Sequence, residues 1–263
     1  MTFVVEPRRA KSAVRVIEIF EFFAAGHERA TVMDIVRQFR RPQSSTSELL
    51  MALVEMGLLY RDIETRSYSP TPRLAELGRI GQPDFIRDGQ VYKYMNRLAQ
   101  TTRCEVGLFG IVGTRVQMFH KIDGPDEALM EHETGSSALL SASAVGRLLL
   151  STLPVAHSNG LLWRLQAEAL ENDRFDLKKV TEEVALMSEK GCVTGTFGFS
   201  KRTQVTAAII PDLRSRHRLA VGVIYPDTAR IDATALASTL KHGLAHLGDV
   251  DKAGPVDLLR GVS

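Results

Sequence analysis

Apolar positions follow a helical rhythm in three segments between residues 12 and 57 and a strand rhythm in several later segments. Over residues 12–24, Val14, Ile17, Phe20 or Glu21, and Ala24 sketch a first helix that Gly26 stops. Thr31 then precedes Val32, Ile35, Val36 and Phe39, a full i, i+3, i+4, i+7 stripe, and Thr31 with Asp34 forms a capping-box-like pair. Arg40, Arg41 and Pro42 interrupt the pattern, because proline disfavours helical geometry in the residue before it. The rhythm resumes after Ser44 or Ser45. Ser45 and Glu48 make an S-x-x-E capping box, and Leu49, Leu50, Leu53 and Val54 form the buried stripe of a third helix ending at Gly57. Two short apolar and aromatic segments, 58–62 and 66–70, flank Ile63, Glu64 and Thr65 and read as a hairpin. Three helices and a hairpin predict a winged helix-turn-helix whose third helix offers its polar face to a DNA major groove.

The sequence GRIGQP at 78–83 holds two glycines and a proline and marks the expected domain boundary. The expected division is a winged helix-turn-helix over 1–80, a linker helix over 81–101 and a second domain over 102–263. The helical pattern at 84–101 carries Phe85, Val91, Tyr94, Met95 and Leu98 on a broad apolar face, long enough to join domains and offer a dimer contact. Strands are predicted at 105–112, 115–121, 193–199, 204–210 and 218–225, and helices at 142–153, 160–170, 177–190 and 231–247. A sheet flanked by helices makes this half an α+β layer arrangement.

Composition narrows the partners only slightly. Hydrophobic residues are 44% and charged residues 24% of 263, ordinary globular usage, and the net charge of +2 announces no polyanion by itself. Of the 12 basic residues before position 81, 11 are Arg, which suits phosphate and base-edge contacts. Two cysteines, Cys104 and Cys192, indicate neither a disulfide framework nor a cysteine zinc site and fit a reducing cytoplasm. The first 20 residues have no signal-peptide core, and the longest run without Asp, Glu, Lys or Arg, residues 148–163, is too short and polar to span a bilayer. A cytoplasmic protein without membrane contact is expected.

Three stretches carry a family resemblance: PQSSTSELL at 42–50, DIETRSYSPTPRLAELG at 62–78, and, in looser form, GSSALLSASAVGRLLLSTL at 135–153. Their order and spacing resemble the IclR (isocitrate lyase regulator) family across most of the chain. The resemblance implies a bacterial transcription factor, repressor or activator, dimeric or tetrameric, with a GAF-like C-terminal domain that binds a small metabolite, and no enzymatic activity. The family pattern P-L-H-x-T-A-x-G-K becomes Leu139 to Arg147 here, keeping only its small-residue skeleton. Positions that hold a small keto acid in similar proteins, an acid, a Cys and two Ser, correspond to Gly195, Val205, Gly222 and Ile224. Each lost hydrogen bond removes about 0.5 to 1.5 kcal/mol, so a larger, more apolar or aromatic effector is expected. Ala144, Val145, Gly146, Val205 and Ile224, with Phe197 and Phe199, would line its cavity.

On the DNA side, Ser44, Ser47, Glu48 and Met51 are expected to face outward, with Gln43 just ahead. Gln pairs bidentately with adenine and Ser serves either donor or acceptor, so groove contact by this patch is favoured over the reading in which Ser44 and Ser45 merely cap the helix. Thr31 and Thr46 join the residues expected to meet DNA. Glu48 stands where relatives often carry Arg, and helix capping is the favoured role over base reading. Lys11, Arg15, Arg40, Arg41, Arg61 and Arg66 are the expected phosphate or minor-groove cations, about half of which should touch DNA. Tyr68 is expected to pack under the wing.

Other chemistry is poorly supported. His242 and His246 share a helix face, but no H-E-x-x-H glutamate or third ligand accompanies them, so neither a metal nor a cofactor is expected. The glycines at 107, 110 and 113 have neither dinucleotide nor Walker spacing, and no G-x-S-x-G elbow exists. The expected function is a DNA-binding regulator on a pseudo-palindromic operator in double-stranded DNA, switched by a small effector. The alternative is a small-molecule-binding or enzymatic protein whose winged domain mediates protein contacts.

Overall fold

The computed structural model describes residues 11–80, 82–125, 132–211 and 218–247, and the chain divides after Gln82 into two units. Residue 81 of the expected linker lies outside the described residues.

In the first unit, α1 (Lys11–Ala24), α2 (Val32–Phe39) and α3 (Gln43–Glu55) precede a two-stranded wing, β1 (Leu59–Arg61) and β2 (Tyr68–Pro70), and α4 (Arg73–Arg79). The capping box of α2 is complete: the Thr31 hydroxyl accepts from the Asp34 N–H, and the Asp34 carboxylate accepts from the Thr31 N–H. Arg40 ends α2 in the left-handed region, φ 51°. The wing strands pair Leu59 with Pro70 and Arg61 with Tyr68, and the bridge Ala30–Tyr68 adds the segment before α2 to their edge. Ile19, Phe22, Ile35, Leu50, Leu53, Leu59 and Tyr68 make the core.

The phase of α1 differs from expectation. Ile17, placed on the buried stripe from sequence, is 51% exposed, and Ile19 and Phe22 are buried instead. Seven apolar residues between Val14 and Phe23 surround this helix, so its sequence defines no single face. α4 went unforeseen because it buries no residue and its glycine suggested a linker.

The single helix expected over 84–101 is two, α5 (Asp84–Arg87) and α6 (Gln90–Thr102). Gly89 separates them at φ 73°, a left-handed conformation that glycine adopts without a Cβ penalty. The apolar face of α6 packs on the sheet of the second unit through Val91, Met95, Leu98 and Ala99.

That sheet contains β3 (Glu105–Val112), β4 (Arg115–Ile122), β5 (Ser137–Leu139), β6 (Cys192–Thr196), β7 (Thr203–Ile209) and β8 (Leu219–Pro226). Every pairing in it is antiparallel, in the order β5-β4-β3-β8-β7-β6. Strand alternation gives it two apolar faces. Val106, Leu108, Val221 and Val223 meet α6 and α10 (Ala233–Ala245) on one. Phe109, Val205, Ala207 and Ile224 meet α7 (Ala144–Leu150), α8 (Val155–Glu168) and α9 (Leu177–Lys190) on the other. A register shift between Leu108 and Phe109 lets β4 serve both: Met118 pairs with Phe109, whereas His120 pairs with Leu108 and sets its ring edge-on to Tyr92 at 4.7 Å. β5, only three residues long, was not foreseen.

Candidate nucleic-acid interface and effector site

The third helix has two sides. Thr46, Leu50 and Leu53 are buried against the core, whereas Gln43, Ser44 and Glu48 are exposed and Ser47 is half-buried between them. Met51, expected to face outward, is partly covered by the wing: the Tyr68 hydroxyl lies 3.8 Å and Arg61 Nη1 3.5 Å from its sulfur. Tyr68 is 3% exposed and packs beneath the hairpin, as its alternation predicted.

Three details depart from the sequence reading. Pro42, extended at φ −60° and ψ 138°, occupies the N-cap position of α3, so Ser45 falls inside the first turn and no side chain caps it. The Ser45–Glu48 capping box therefore does not form, and the Glu48 carboxylate stands in solvent. Thr46, expected to meet DNA, is 1% exposed: its hydroxyl donates to the Pro42 carbonyl at 2.8 Å and accepts from Arg15 at 3.2 Å. A side chain so enclosed has no surface left for a duplex.

Two of the six expected phosphate cations are tied into the unit. Arg15 donates to Ser45 and Thr46, and Arg41 donates from Nε and Nη2 to the Glu18 carboxylate at 3.2 and 2.5 Å. That bond to Glu18 raises the Arg41 pKa further. Both pin α1 to the turn and start of the third helix, which fixes how the latter is presented. Lys11, Arg40, Arg61 and Arg66 are exposed. Arg40 and Arg66 hold positive φ angles of 51° and 54°, one in the interhelical turn and one in the wing loop. Asp62 shapes that loop, accepting from the N–H groups of Glu64 at 2.9 Å and Thr65 at 3.1 Å. These bonds, the one from Thr65 foremost, hold its carboxyl below the usual range. Thr31 is half-buried and engaged in its cap.

In the second unit the expected effector residues gather on the sheet face covered by α7. Gly195, Val205 and Ile224 are direct neighbours across β6, β7 and β8, and the row continues to Glu105 on β3. Ala144, Val145 and Phe197 are buried beside them. A Cβ on Gly195 would lie 3.2 Å from that of Ala144, and one on Gly222 would lie 2.8 Å from Val205 and 3.3 Å from the Phe109 ring. Gly146 is different: a Cβ there would come within 2.5 Å of the Leu140 carbonyl oxygen, so this glycine seats α7 on the preceding segment. The Phe197 and Phe199 rings stack at 4.4 Å, and Phe109 meets each edge-on at 5.9 Å.

Sequence reading missed a polar chain at the edge of these rings. Glu105 and His132 are 4% and 6% exposed, with Glu105 Oε2 3.3 Å from His132 Nδ1. His132 Nε2 lies 2.8 Å from the Ser200 hydroxyl, which in turn lies 2.7 Å from that of Thr203. The His132 ring stands perpendicular to Phe197 at 4.9 Å. Glu105 Oε1 is buried and has no hydrogen-bond partner among the described residues. A glutamate opening an otherwise apolar strand was the available signal, since alternation puts Glu105 and Phe109 on one face.

The family models for the IclR helix-turn-helix domain and for the bacterial transcriptional regulator IclR C-terminal domain match residues 12–62 and 89–241. The chain belongs to the IclR family of transcriptional regulators. Among curated relatives, the glycerol operon regulatory protein of Streptomyces coelicolor is 24% identical over 82% of this chain and 84% of its own length. The HTH-type transcriptional regulator KdgR of Dickeya chrysanthemi is 26% identical over 68% of this chain, which covers 52% of that protein. A solved IclR homologue from Microbacterium hydrocarbonoxydans, complexed with 4-hydroxybenzoate, has a TM-score of 0.62 at 19% identity, covering 92% of this chain and all (100%) of that one. An IclR regulator from Alicyclobacillus acidocaldarius has a TM-score of 0.60 at 16% identity, covering 91% and 98%. These likenesses establish a shared α+β fold, a helix-turn-helix unit followed by a unit of antiparallel sheet and helices. Among the described residues no helix is long and apolar enough to cross a membrane, and no three His, Cys, Asp or Glu side chains cluster as metal ligands. His242 and His246 are exposed, their rings 4.6 Å apart.

Proposed function

We propose that this IclR-family regulator reads a pseudo-palindromic operator with α3, as a homodimer or homotetramer, and that a small apolar or aromatic effector bound in its second unit changes operator affinity. The observation that carries the reading is the division of α3 into a buried Thr46, Leu50, Leu53 side and an open polar side of Gln43, Ser44, Ser47 and Glu48. Side chains of this type at a helix N-terminus suit base edges and phosphates in a major groove. Arg40, Arg61, Arg66 and Lys11 supply the salt-dependent phosphate contacts, and the wing loop carries Arg66 toward the backbone or minor groove. Arg15 and Arg41 act by holding α3 in place. Glu48 is the unusual element, a carboxylate suited to a cytosine amino group and unfavourable near phosphates.

Support for an apolar effector comes from Val205, Ile224, Ala144 and the three phenylalanine rings around the glycine-lined sheet face. A protein of the same fold solved with the aromatic acid 4-hydroxybenzoate is consistent with that class. Regulation then consists of a coupling free energy between effector and operator sites. Gel-shift and footprinting assays on the DNA upstream of its own gene test the reading. Sub-micromolar, sequence-selective binding that weakens with salt supports it, and binding indifferent to sequence refutes it.

A further inference from the structure

The buried Glu105–His132–Ser200 chain has no role in folding that its geometry explains. A buried carboxylate oxygen without a partner costs stability, and a satisfied apolar pair in its place would serve the core better. Glu105 Oε2 is already occupied by His132, and His132 is occupied on its far side by Ser200. Among the described residues the arrangement leaves one atom of this polar chain open, Oε1. Glu105 also sits in register with Ile224, Val205 and Gly195, the row that lacks the polar partners expected of a keto-acid site. The one charged side chain of that row thus stands on its fourth strand. At the outer end of the chain Phe199 and Ser200 are only partly buried.

Resting on the effector reading above, we propose that Glu105, positioned by His132, is the polar anchor of the effector site, and that it selects a neutral single-ring aromatic compound bearing an N–H or O–H donor over a carboxylate anion. Whichever atom holds the proton shared between Glu105 Oε2 and His132 Nδ1, Oε1 remains an acceptor. An incoming donor satisfies it. An incoming carboxylate brings a second acceptor against it and loses its own hydration, which disfavours the anion. The Phe109, Phe197 and Phe199 rings supply the apolar surroundings for the aromatic ring, and His132, edge-on to Phe197, joins the two halves of the site.

The test uses the full-length protein and four probes of similar size: benzamide, phenol, benzoate and toluene, with dissociation constants from calorimetry and melting shifts. The expected result is that benzamide or phenol binds at least tenfold more tightly than both benzoate and toluene, about 1.4 kcal/mol. Glu105→Leu brings the benzamide-to-toluene affinity ratio to within twofold of unity. His132→Gln lowers the same ratio, which general loosening of the fold would leave unchanged. Equal binding of all four probes, or tighter binding of benzoate, by the unmodified protein overturns the anchor and leaves an aromatic effector standing. Binding of none of them, with sequence-selective DNA binding intact, overturns the anchor and the aromatic effector class together. Loss of sequence-selective DNA binding itself refutes the regulator reading by a separate measurement.

Discussion

One guanidinium nitrogen of Arg15 on α1 donates to both Ser45, at 3.1 Å, and Thr46, at 3.2 Å, in the first turn of α3. Because no side chain caps that turn, these bonds and the returns of both hydroxyls to the Pro42 carbonyl fix the helix start relative to α1. Thr46→Val keeps the shape and removes both bonds. It should cost about 1 to 3 kcal/mol, because buried groups are left without partners, and raise amide hydrogen exchange across α1 and the start of α3. Arg15→Ala should raise exchange in the same segments. Protection unchanged in both variants would remove Arg15 from its structural role.

Surface positions on the same helix should behave oppositely. Gln43→Ala and Ser47→Ala lie on the open side and should leave stability within about 0.5 kcal/mol. Each should weaken binding to the preferred operator by about 1 to 3 kcal/mol while sparing unrelated DNA. Competition gel shifts with specific and random duplexes separate these effects from a change in folding.

Arg66 offers a cleaner test of the wing than most basic residues. Its φ of 54° is unfavourable for a side chain with a Cβ, so Arg66→Gly removes the charge while easing the backbone. Affinity should fall for all sequences alike, and the slope of log affinity against log salt should shrink by about 0.9 if the side chain neutralises a single phosphate. An unchanged slope would place Arg66 off the DNA.

Much of this was legible beforehand, and what was missed has physical causes. The α2 stripe and its Thr31–Asp34 box are local, so sequence spacing specified them. The start of α3 was displaced because Pro42 supplies the extended N-cap conformation that Ser44 or Ser45 was expected to supply. In β4, uninterrupted alternation would keep Met118 and His120 on one face, but the bulge puts them on opposite ones, a feature with no local signature. Glu105 and His132 meet across 27 residues of chain, and His132 belongs to no helix or strand, so periodicity could not pair them.

The Thr31–Asp34 box also predicts an acid limb in stability. The Asp34 carboxylate accepts from the Thr31 N–H at 2.8 Å and the Thr31 hydroxyl at 2.7 Å, and the backbone bond foremost lowers its pKa below the ordinary 3.8. A carboxyl with a depressed folded pKa contributes its full stabilisation above 3.8 and loses it as pH falls through the folded value. Asp34→Asn can still accept from the Thr31 N–H but does not titrate there. Its melting temperature should therefore fall less steeply than that of the unmodified protein as pH drops below about 4, the ordinary carboxyl range. Parallel curves would show that this cap contributes nothing to acid sensitivity.

Two helical glycines in the second unit should respond to alanine with opposite signs. Glycine within a helix is ordinarily about 0.5 to 1 kcal/mol worse than alanine, because more backbone freedom is lost on folding. Gly160, exposed on α8, has nothing within 4 Å of where a Cβ would stand, so Gly160→Ala should stabilise by about that amount. Gly146 on α7 would place its Cβ 2.5 Å from the Leu140 carbonyl oxygen and 2.7 Å from its Cα, backbone atoms that cannot swing aside. Gly146→Ala must shift α7 off that segment and should destabilise by about 1 to 3 kcal/mol despite its better helix propensity. Because α7 also carries Ala144 and Val145 into the sheet face proposed to bind the effector, the same variant should weaken effector binding, whereas Gly160→Ala should not. Thermal melts and calorimetry on the two variants, made side by side, decide it: a Gly146→Ala protein more stable than its parent would mean that this close approach does not govern the packing of α7.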